Sequence, residues 1–313
     1  MCNIMKLKFL ITGSSGMLGR SLVEKFKKKK FNYLAPSSKE LNLLDKQQIK
    51  KYLKKNKPNY IIHLAGYVGG IEANIDKPID FLNLNMMMGI NLIDTAHKLK
   101  IKNLLNIGSS CIYPANEKKK INEKKLLSGQ IEKTNEGYAL AKISIIKLCE
   151  YIARSKNYNY FSLIPCNIYG PNDKFNSKNS HVMGALIYKI WHAKKNNKSN
   201  VEIWGTGKSR REFIYADDVS AAIIKFLNNK KFIKNNTFWL NIGTGVDYSI
   251  KELYLKIAKV VDYKGKFIKN LQKPDGTYRK LLDISLAKKN GWEPKTDLDC
   301  GLKKTIRHYE KTN

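Results

Sequence analysis

Short apolar runs alternate with longer stretches of helical periodicity through the first half of the chain. The apolar runs, interpreted as buried strands, are Leu7–Thr12, Tyr60–Ala65, Asn103–Ser109 and Phe161–Pro165. The stretches with helical spacing between them are Met17–Lys29, Pro78–Leu99 and Thr134–Ala153. Strands that alternate with helices in this way predict a parallel sheet with helices on both faces.

The alternation stops after Pro165, where a loop-rich segment leads into a more irregular half. The elements predicted there are a helix near Val182–Lys195, a strand Val201–Trp204, and helices Asp217–Leu227 and Ile250–Val261. We therefore predict an α/β fold, a Rossmann-type doubly wound parallel sheet with a smaller α/β substrate-binding lobe at the C-terminal side. Residues 1–170 and about 212–243 would form the cofactor-binding domain, and residues 171–211 and 244–313 the smaller lobe.

The composition is that of a soluble globular protein with an unusual charge. The 313 residues, 42% hydrophobic and 27% charged, are enough for a sizeable core. The formal net charge is +32, and 52 of the 58 basic residues are lysines spread in short runs along the chain. A nucleic-acid binder usually concentrates its basic residues on one face and reads bases with arginine. The scattered lysines instead indicate a compositional bias and no nucleic-acid partner, although they would attract an anionic substrate.

The cysteines and the apolar segments bear on the compartment and on metal binding. The cysteines are Cys2, Cys111, Cys149, Cys166 and Cys300. An odd number without close pairing fits a reducing cytosol, so we expect a cytoplasmic protein. No C-x-x-C pair or histidine-rich tract suggests a metal site. We expect no signal peptide and no membrane partner, because no uncharged apolar run is long enough to span a bilayer.

The first predicted strand is followed at once by G-S-S-G-M-L-G, with glycines at positions 13, 16 and 19. Gly13 allows a tight turn, Gly16 lets the backbone approach a pyrophosphate, and Gly19 lets the following helix pack on the strand. That helix directs free N–H groups and the positive end of its dipole at the phosphate. Three glycines alone also fit an ordinary tight turn, but between a strand and a helix they predict dinucleotide binding.

The end of the second strand indicates which dinucleotide is bound. An NAD site usually has an acidic residue there, which holds the ribose 2′-hydroxyl. This chain has L-A-P-S-S-K from Leu34 to Lys39, and the first carboxylate comes only at Glu40. Two hydroxyls and a lysine, without a carboxylate, favour NADP.

Tyr138 and Lys142 are four residues apart on a predicted helix and therefore lie on one face of it. A neighbouring ammonium favours the tyrosine anion, which makes the phenol a better proton shuttle at neutral pH. Lys142 can also hold the cofactor ribose, and Ser109 at a strand end can hydrogen-bond the reacting oxygen. These residues predict a reductase, and a surface tyrosine with a solvated lysine is the alternative. A reductase has no use for Cys111, which is therefore either packing or a second chemistry.

Motifs along nearly the whole chain resemble one enzyme family. Besides the Tyr138–Lys142 segment they are L-N-L-L-D at 41–45, V-G-G-I-x-A-N at 68–74, N-M-M at 85–87, G-S-S-C-I-Y-P at 108–114, N-I-Y-G-P at 167–171, N-S-H-V at 179–182, W-G-T-G at 204–207, R-E-F at 211–213, K-P-D-G-T at 273–277 and R-K-L-L-D at 279–283. The chain resembles the extended short-chain dehydrogenase/reductase family, and within it the epimerase/reductases that convert GDP-4-keto-6-deoxy-D-mannose to GDP-L-fucose. The cysteine of G-S-S-C and the histidine of N-S-H-V are the most particular of these features.

The resemblance implies a second chemistry for Cys111. With His181 it would form the acid–base pair that inverts C3 and C5 of the sugar, whose protons are acidic beside the C4 ketone. Thiolate and imidazolium can supply the base and the acid at about pH 7. Tyr138 and Ser109 would stabilise the enediolate and later protonate the C4 oxygen as NADPH delivers hydride. The alternatives are that the cysteine is a buried small hydrophobe and the histidine an ordinary loop residue.

The resemblance also assigns binding residues and a homodimer. NADP would be held by Gly13, Ser14, Ser15, Gly16, Met17, Leu18, Gly19, Ser38, Lys39, Leu43, Ala65, Gly66, Lys142, Pro165, Asn167, Ile168 and His181. The GDP sugar would contact Lys189, Trp204, Arg211 and Asp275, and the dimer would form through the helices at 78–99 and 134–153. Four positions depart from the family: arginine is usual at Ser15, Ser38 and Lys189, and proline at Gly137.

Two other functions stay open. A relative acting on another GDP-4-keto sugar, of the colitose or 6-deoxy-heptose type, would share the motifs, because loops such as Val68–Asn74 and Phe175–Ser180 distinguish the sugar. A non-enzymatic NADP- or nucleic-acid-binding protein on the same fold is suggested only by the charge. Such a protein would not need Ser109, Tyr138 and Lys142.

Overall fold

The computed structural model describes residues 4, 6–176, 180–228, 230–273 and 276–312. The strands are β1 (Lys8–Thr12), β2 (Asn32–Leu34), β3 (Tyr60–His63), β4 (Asn103–Ile107), β5 (Asn159–Pro165), β6 (Asn167–Tyr169), β7 (Asn200–Trp204), β8 (Arg210–Tyr215), β9 (Trp239–Ile242), β10 (Asp247–Ser249), β11 (Lys266–Asn270) and β12 (Arg279–Lys280). The helices are α1 (Met17–Lys28), α2 (Lys46–Asn56), α3 (Ile71–Asp76), α4 (Pro78–Lys98), α5 (Glu136–Lys156), α6 (Val182–Lys195), α7 (Ala216–Lys225), α8 (Lys230–Lys234), α9 (Ile250–Val261), α10 (Ser285–Lys289) and α11 (Leu298–Thr312). Short 3₁₀ helices cover Ser110–Ile112, Glu123–Lys125 and Lys133–Asn135.

A six-stranded parallel sheet with the order β2-β1-β3-β4-β5-β9 forms the centre of the protein. The chain adds β2 on one side of β1 and then β3 on the other, so the direction of winding changes between β1 and β3. In open α/β sheets, ligands bind at such a switch point, outside the carboxyl ends of the strands. The predicted α/β fold with a doubly wound parallel sheet is confirmed.

Alternating side chains of the strands build a separate core on each face of this sheet. Phe9 and Ile11 of β1 belong to an apolar cluster with Leu22 of α1 and with α7. Leu10 lies between them and belongs to another cluster, with Leu92 of α4 and with α2. Because both faces are covered, the strands are apolar at nearly every position, which is the pattern from which they were predicted.

The predicted helices and strands are present, with small shifts at their ends. The helix predicted from Thr134 begins at Glu136, because Lys133–Asn135 forms a 3₁₀ turn. It continues to Lys156 and ends where Asn157 adopts a left-handed conformation with φ 51°. Asparagine tolerates this conformation better than most residues, so it ends the helix at low cost.

The second half of the chain adds a small mixed sheet at the carboxyl edge of the large one. Its central strand β8 lies between antiparallel β10 and parallel β12, and β6 also pairs with β8. Only Cys166 separates β6 from β5, which belongs to the large sheet. Helices α6, α9 and α11 form a third apolar cluster with these strands, around Ile187, Ile257 and Leu302.

Candidate active site

The glycine loop after β1 has the geometry of a pyrophosphate cradle. Gly13 has φ +70°, and a Cβ there would lie 2.6 Å from the Ala65 backbone nitrogen across the switch point. A Cβ on Gly19 would lie 2.1 Å from the Gly13 carbonyl oxygen, so only glycine lets α1 pack this closely on the loop. Gly16 caps α1 without a side-chain hydrogen bond, which leaves the first N–H groups of the helix available to a phosphate. These residues fit a dinucleotide.

The end of β2 lies beside this loop and presents no free carboxylate to a ribose. The Ser14 hydroxyl donates to the carbonyl oxygens of Ala35 and Pro36, at 3.2 and 3.3 Å, and joins the loop to the end of the strand. Ser38 and Lys39 are exposed there. The Glu40 carboxylate accepts the Ser37 N–H at 2.7 Å, and this backbone bond lowers its pKa.

The other predicted cofactor residues lie along the carboxyl edge of the sheet. Ala65 and Gly66 follow β3, Pro165 ends β5, Asn167 and Ile168 form β6, and Met17 and Leu18 begin α1. A Cβ on Gly66 would lie 3.7 Å from the Lys142 ammonium, so the loop after β3 reaches the catalytic helix. Leu43 is buried in the core between α2 and α4. The Asn167 amide donates to the Glu212 carbonyl at 2.7 Å, which fixes β6 against β8.

Ser109 and Cys111 follow β4, where the chain turns into a 3₁₀ helix. The Ser109 hydroxyl accepts the Cys111 N–H at 3.4 Å and so begins this helix. Cys111 is only 5% exposed, and burial raises the pKa of its thiol. A hydrogen bond with Ser109 and the positive charges of Lys280 and Lys142 act in the opposite direction. Cys111 therefore packs in the apolar core and also belongs to the polar site.

Tyr138 and Lys142 lie together on α5, as their spacing predicts. The Lys142 ammonium is 5.7 Å from the centre of the Tyr138 ring and donates to the Ile107 carbonyl at 3.0 Å. Burial lowers the pKa of Lys142 to about 8. Burial, followed by the nearby Cys111, raises the pKa of Tyr138 above its ordinary value. The expectation that the pKa of the tyrosine is lowered beside Lys142 is therefore wrong for this state, because loss of water favours the neutral phenol.

His181 precedes α6 and lies beside the loop at 68–70. A Cβ on Gly70 would lie 2.5 Å from the Ser180 carbonyl oxygen, so this loop and the histidine segment touch. The imidazole is accessible to solvent, but surrounding protein and then Lys174 lower its pKa. Among hydrogen bonds of the described residues, none joins His181 to Cys111. Asn179 of the N-S-H-V motif lies outside the described residues.

The predicted substrate residues form two groups. The Lys189 ammonium lies 5.9 Å from the centre of the Trp204 ring and donates to the Glu202 carbonyl at 2.5 Å. Arg211 is on β8, and its guanidinium donates to the Thr277 carbonyl at 2.5 Å. Asp275 lies outside the described residues.

Three charged residues at the site were not found from the sequence. The Arg20 guanidinium donates to the Ser15 carbonyl at 2.9 Å, so an arginine does reach the glycine loop, but from α1. Glu132 and Lys280 form a buried ion pair that acts electrostatically on Cys111. Lys280 belongs to the R-K-L-L-D motif, which was a usable signal, whereas nothing in the sequence around Glu132 marks it.

The described part of the chain has neither a membrane-spanning helix nor a cluster of metal ligands. None of the helices there is both long and apolar enough to cross a bilayer. No three histidine, cysteine or acidic side chains within that part of the chain are placed to hold a metal ion together.

The glycine cradle at the switch point and the Ser109, Tyr138 and Lys142 side chains define a nicotinamide-dependent oxidoreductase and epimerase with the extended short-chain dehydrogenase/reductase fold. Residues 9–243 match the NAD dependent epimerase/dehydratase family, and the chain belongs to that family. The protein is an enzyme of this class.

Relatives of known name are similar over nearly the full length. The GDP-L-colitose synthase of Yersinia pseudotuberculosis is 48% identical over 98% of this chain and 100% of the relative. The GDP-L-fucose synthase of Escherichia coli strain K12 is 39% identical over 97% of each chain. A solved GDP-mannoheptose C4 reductase from Campylobacter jejuni, with NADP bound, is 33% identical with a TM-score of 0.88 over 98% of this chain and 99% of its own. The predicted cofactor, NADP, is the one bound in that relative.

Proposed function

We propose that this protein is an NADPH-dependent 3,5-epimerase and 4-reductase that acts on a GDP-4-keto-6-deoxy sugar. The observation that carries the proposal is the position of Cys111, hydrogen-bonded to Ser109 and close enough to Tyr138 and Lys142 to act on both electrostatically. A simple reductase needs no buried thiol among these residues. Names of relatives that share nearly the whole chain, GDP-L-colitose synthase and GDP-L-fucose synthase, support a GDP sugar as substrate.

The division of labour is between two parts of the chain. Residues 1–170 and about 212–243 bind NADPH, and residues 171–211 and 244–313 bind the GDP sugar. NADPH supplies the hydride. Gly13, Gly16 and Gly19 hold its pyrophosphate, and Ser38 and Lys39 lie at the end of β2, where a 2′-phosphate would be neutralised.

Epimerisation comes first and uses Cys111 and His181. The C4 ketone acidifies the protons on C3 and C5, because the enediolate left by proton removal places its charge on the carbonyl oxygen. One of the two residues removes the proton, and the other returns a proton to the opposite face of the carbon. Burial raises the pKa of the thiol, and the surrounding protein and then Lys174 lower that of the imidazole, so the free site holds a neutral thiol and a neutral imidazole. The thiolate that takes a proton from the sugar forms when the sulfur loses its proton and the imidazole gains one.

Reduction follows at the same ketone. Tyr138 donates its phenolic proton to the C4 oxygen as the hydride reaches C4. The raised pKa of the phenol keeps that proton in place until it is needed. Ser109 hydrogen-bonds the same oxygen, and the Lys142 ammonium helps to stabilise the tyrosine anion that is left behind.

Deuterium exchange at C3 and C5 tests the proposal. Wild-type protein with GDP-4-keto-6-deoxy-D-mannose and NADPH in D₂O should give product deuterated at both carbons. Cys111→Ser keeps the size but lacks a thiol, and it should lose the exchange while it still binds NADPH. Cys149→Ser is the matched control, because Cys149 is equally buried on α5 but belongs to the core on the other side. Fully deuterated product from Cys111→Ser at the wild-type rate would mean that Cys111 is only packing and that another group exchanges the protons on C3 and C5. Wild-type product without deuterium at C3 and C5 would leave a simple 4-ketoreductase.

The particular sugar is decided by the same assay with two substrates. The first candidate substrate is GDP-4-keto-6-deoxy-D-mannose, with GDP-L-fucose as product. The higher identity to the colitose enzyme, 48% against 39%, favours the second candidate, GDP-L-colitose. Colitose lacks the C3 hydroxyl of fucose, so the 3-deoxy counterpart of the substrate is the competitor. The larger kcat/KM of the two identifies the substrate, and failure with both would contradict the proposal.

A homodimer through α4 and α5 is also proposed. The two helices pack along each other, and apolar side chains are exposed on both: Ile79, Met87, Ile90, Leu140 and Tyr151. An apolar strip on adjacent helices is the kind of surface that subunit association buries. Light scattering should give a dimer for wild type and a monomer for the double variant Ile90→Lys and Leu140→Lys. A wild-type monomer at micromolar concentration would contradict this.

A further inference from the structure

Glu132 and Lys280 form a largely buried ion pair that acts electrostatically on Cys111, and the mechanism described above does not use them. Their side chains are 12% and 8% exposed, and the Lys280 ammonium lies 3.5 Å from a carboxylate oxygen of Glu132. Burying two charges costs free energy that apolar residues of the same volume would not. An ion pair kept at that cost where it acts on Cys111 points to a role in the chemistry of that thiol.

The fold brings the pair to the cysteine from two directions. Lys280 lies on β12, and the next residues run beside the chain that follows the cysteine. The Ile121 N–H donates to the Leu281 carbonyl at 2.9 Å, and Leu282 belongs to the same apolar cluster as Cys111. Glu132 comes from the segment that leads into α5, so the pair also joins β12 to the start of the catalytic helix.

Glu132 is held firmly in this position. The Thr134 hydroxyl donates to one carboxylate oxygen at 2.9 Å, and Lys280 lies next to the other. Lys280 is in register with Arg211 on β8, and the Glu132 charge acts on Arg211 as well. The carboxylate therefore acts on both the thiol and the arginine expected to bind substrate.

The groups around Cys111 act on the protonation of its thiol in two opposite directions. They are Lys142 and Tyr138 on α5, Lys280 on β12, Glu132 before α5, and the Ser109 hydroxyl on the segment of the cysteine itself. Both ammonium groups and the hydroxyl favour the thiolate, and the Glu132 carboxylate favours the thiol. In the proposed mechanism Lys142 already acts on Tyr138 and on the cofactor. Lys280 has no other role there.

We propose that Lys280 and Glu132 are positioning residues for Cys111: the ammonium favours the thiolate, and the carboxylate holds the ammonium and partly offsets its charge. The proposal rests on the proposed function, in which Cys111 exchanges a proton with the sugar. Its distinctive consequence is that removal of each partner affects the thiol in opposite directions. Lys280→Met keeps the chain length without the charge, and Glu132→Gln keeps the shape without the charge.

The pH dependence of deuterium exchange at C5 in D₂O measures the effect. At saturating GDP-4-keto-6-deoxy-D-mannose, Lys280→Met should move the ascending limb of the exchange rate to higher pH by about one unit. That corresponds to a rate about tenfold lower on the limb, with recovery towards the wild-type rate at alkaline pH. Glu132→Gln should move the limb to lower pH. Lys256→Met is the matched control, because this lysine pairs with Asp299 at the surface of the same lobe, and it should cause no shift.

Several outcomes would overturn the proposal. Limbs that move in the same direction, or rates that fall equally at every pH, would mean that the pair only supports packing. A higher KM for the GDP sugar with an unmoved limb would make Lys280 a substrate ligand instead. The ultraviolet absorbance of the thiolate, taken as the difference between each variant and the same variant with Cys111→Ser, reports the shift without turnover. If Cys111→Ser itself keeps the exchange, the proposed function has failed, and this is separate from failure of the pair.

Discussion

Replacing Lys142 with methionine should abolish reduction and yet make the protein more stable at pH 7. The ammonium is only 4% exposed, and burial lowers its pKa from 10.5 to about 8. A pKa that differs by about 2.5 units between the unfolded and folded states costs about 3 kcal/mol while the lysine is protonated in both. Methionine has a similar length and removes this cost.

The expected gain is smaller than the full cost, because the ammonium also donates a hydrogen bond. Its acceptor is the Ile107 carbonyl at 3.0 Å. Leaving a buried carbonyl without a partner costs about 1–2 kcal/mol. We therefore expect the free energy of unfolding of Lys142→Met to exceed that of wild type by about 1–2 kcal/mol at pH 7.

The sign of the effect is checked by its pH dependence. Between pH 8 and 10.5 the unfolded chain keeps a proton on Lys142 that the folded protein has lost, so wild-type stability rises with pH relative to the variant. At about pH 9.5 the advantage of the variant should have shrunk by about 2 kcal/mol and nearly disappeared.

Urea denaturation of both proteins at these two pH values, without cofactor, measures the difference. Lys50→Met, an exposed lysine on α2, is the control and should change stability little at either pH. A Lys142→Met variant less stable than wild type at pH 7 would refute the reasoning. A stability advantage of the same size at both pH values would also refute it. If the buried charge is the cause, the advantage must shrink as Lys142 loses its proton.

Tyr138→Phe keeps the ring and loses the phenolic proton. The rate of reduction, followed at the cofactor absorbance, should fall about 10²–10⁴-fold while NADPH affinity stays unchanged. Near-normal turnover would assign the proton donor elsewhere. Ser38→Asp should reverse or erase the preference for NADPH over NADH in kcat/KM, because a carboxylate repels the 2′-phosphate, and a wild type that prefers NADH would contradict the cofactor assignment. Glu212→Gln should lower the free energy of unfolding in urea by about 2–4 kcal/mol. The buried carboxylate accepts N–H bonds from residues 244–245 and from Leu282, and an amide must direct a donor at one of them; a change below about 0.5 kcal/mol would contradict this.

Lys142 and Lys280 reduce a conflict between two requirements of the proposed chemistry at Cys111. Burial keeps water away from the enediolate, but it also favours the neutral thiol over the thiolate. Lys142 and Lys280 offset part of that penalty without exposing the sulfur. Stability is the cost of this arrangement, since each buried charge must be removed from water when the chain folds.

The sequence by itself determined those features that depend on spacing over a few residues. Gly13 and Gly19 are required by a turn and a close approach within one loop, so their pattern predicted the cradle. Tyr138 and Lys142 share a helix face because they are four residues apart. The apolar runs predicted a parallel sheet, since strands covered on both faces are apolar at nearly every position.

Only the tertiary structure decided which distant residues act together and how far water is excluded from them. Glu132 and Lys280 are 148 residues apart in the chain, and no local periodicity connects them. Spacing predicted that Lys142 would lie near Tyr138, but it could not predict that Lys142 would be buried and Tyr138 largely removed from water, and desolvation reversed the expected direction of the tyrosine pKa. Desolvation depends on everything packed around a group, whereas helix periodicity depends only on the backbone, which is why the shared helix face of Tyr138 and Lys142 was predictable and their protonation was not.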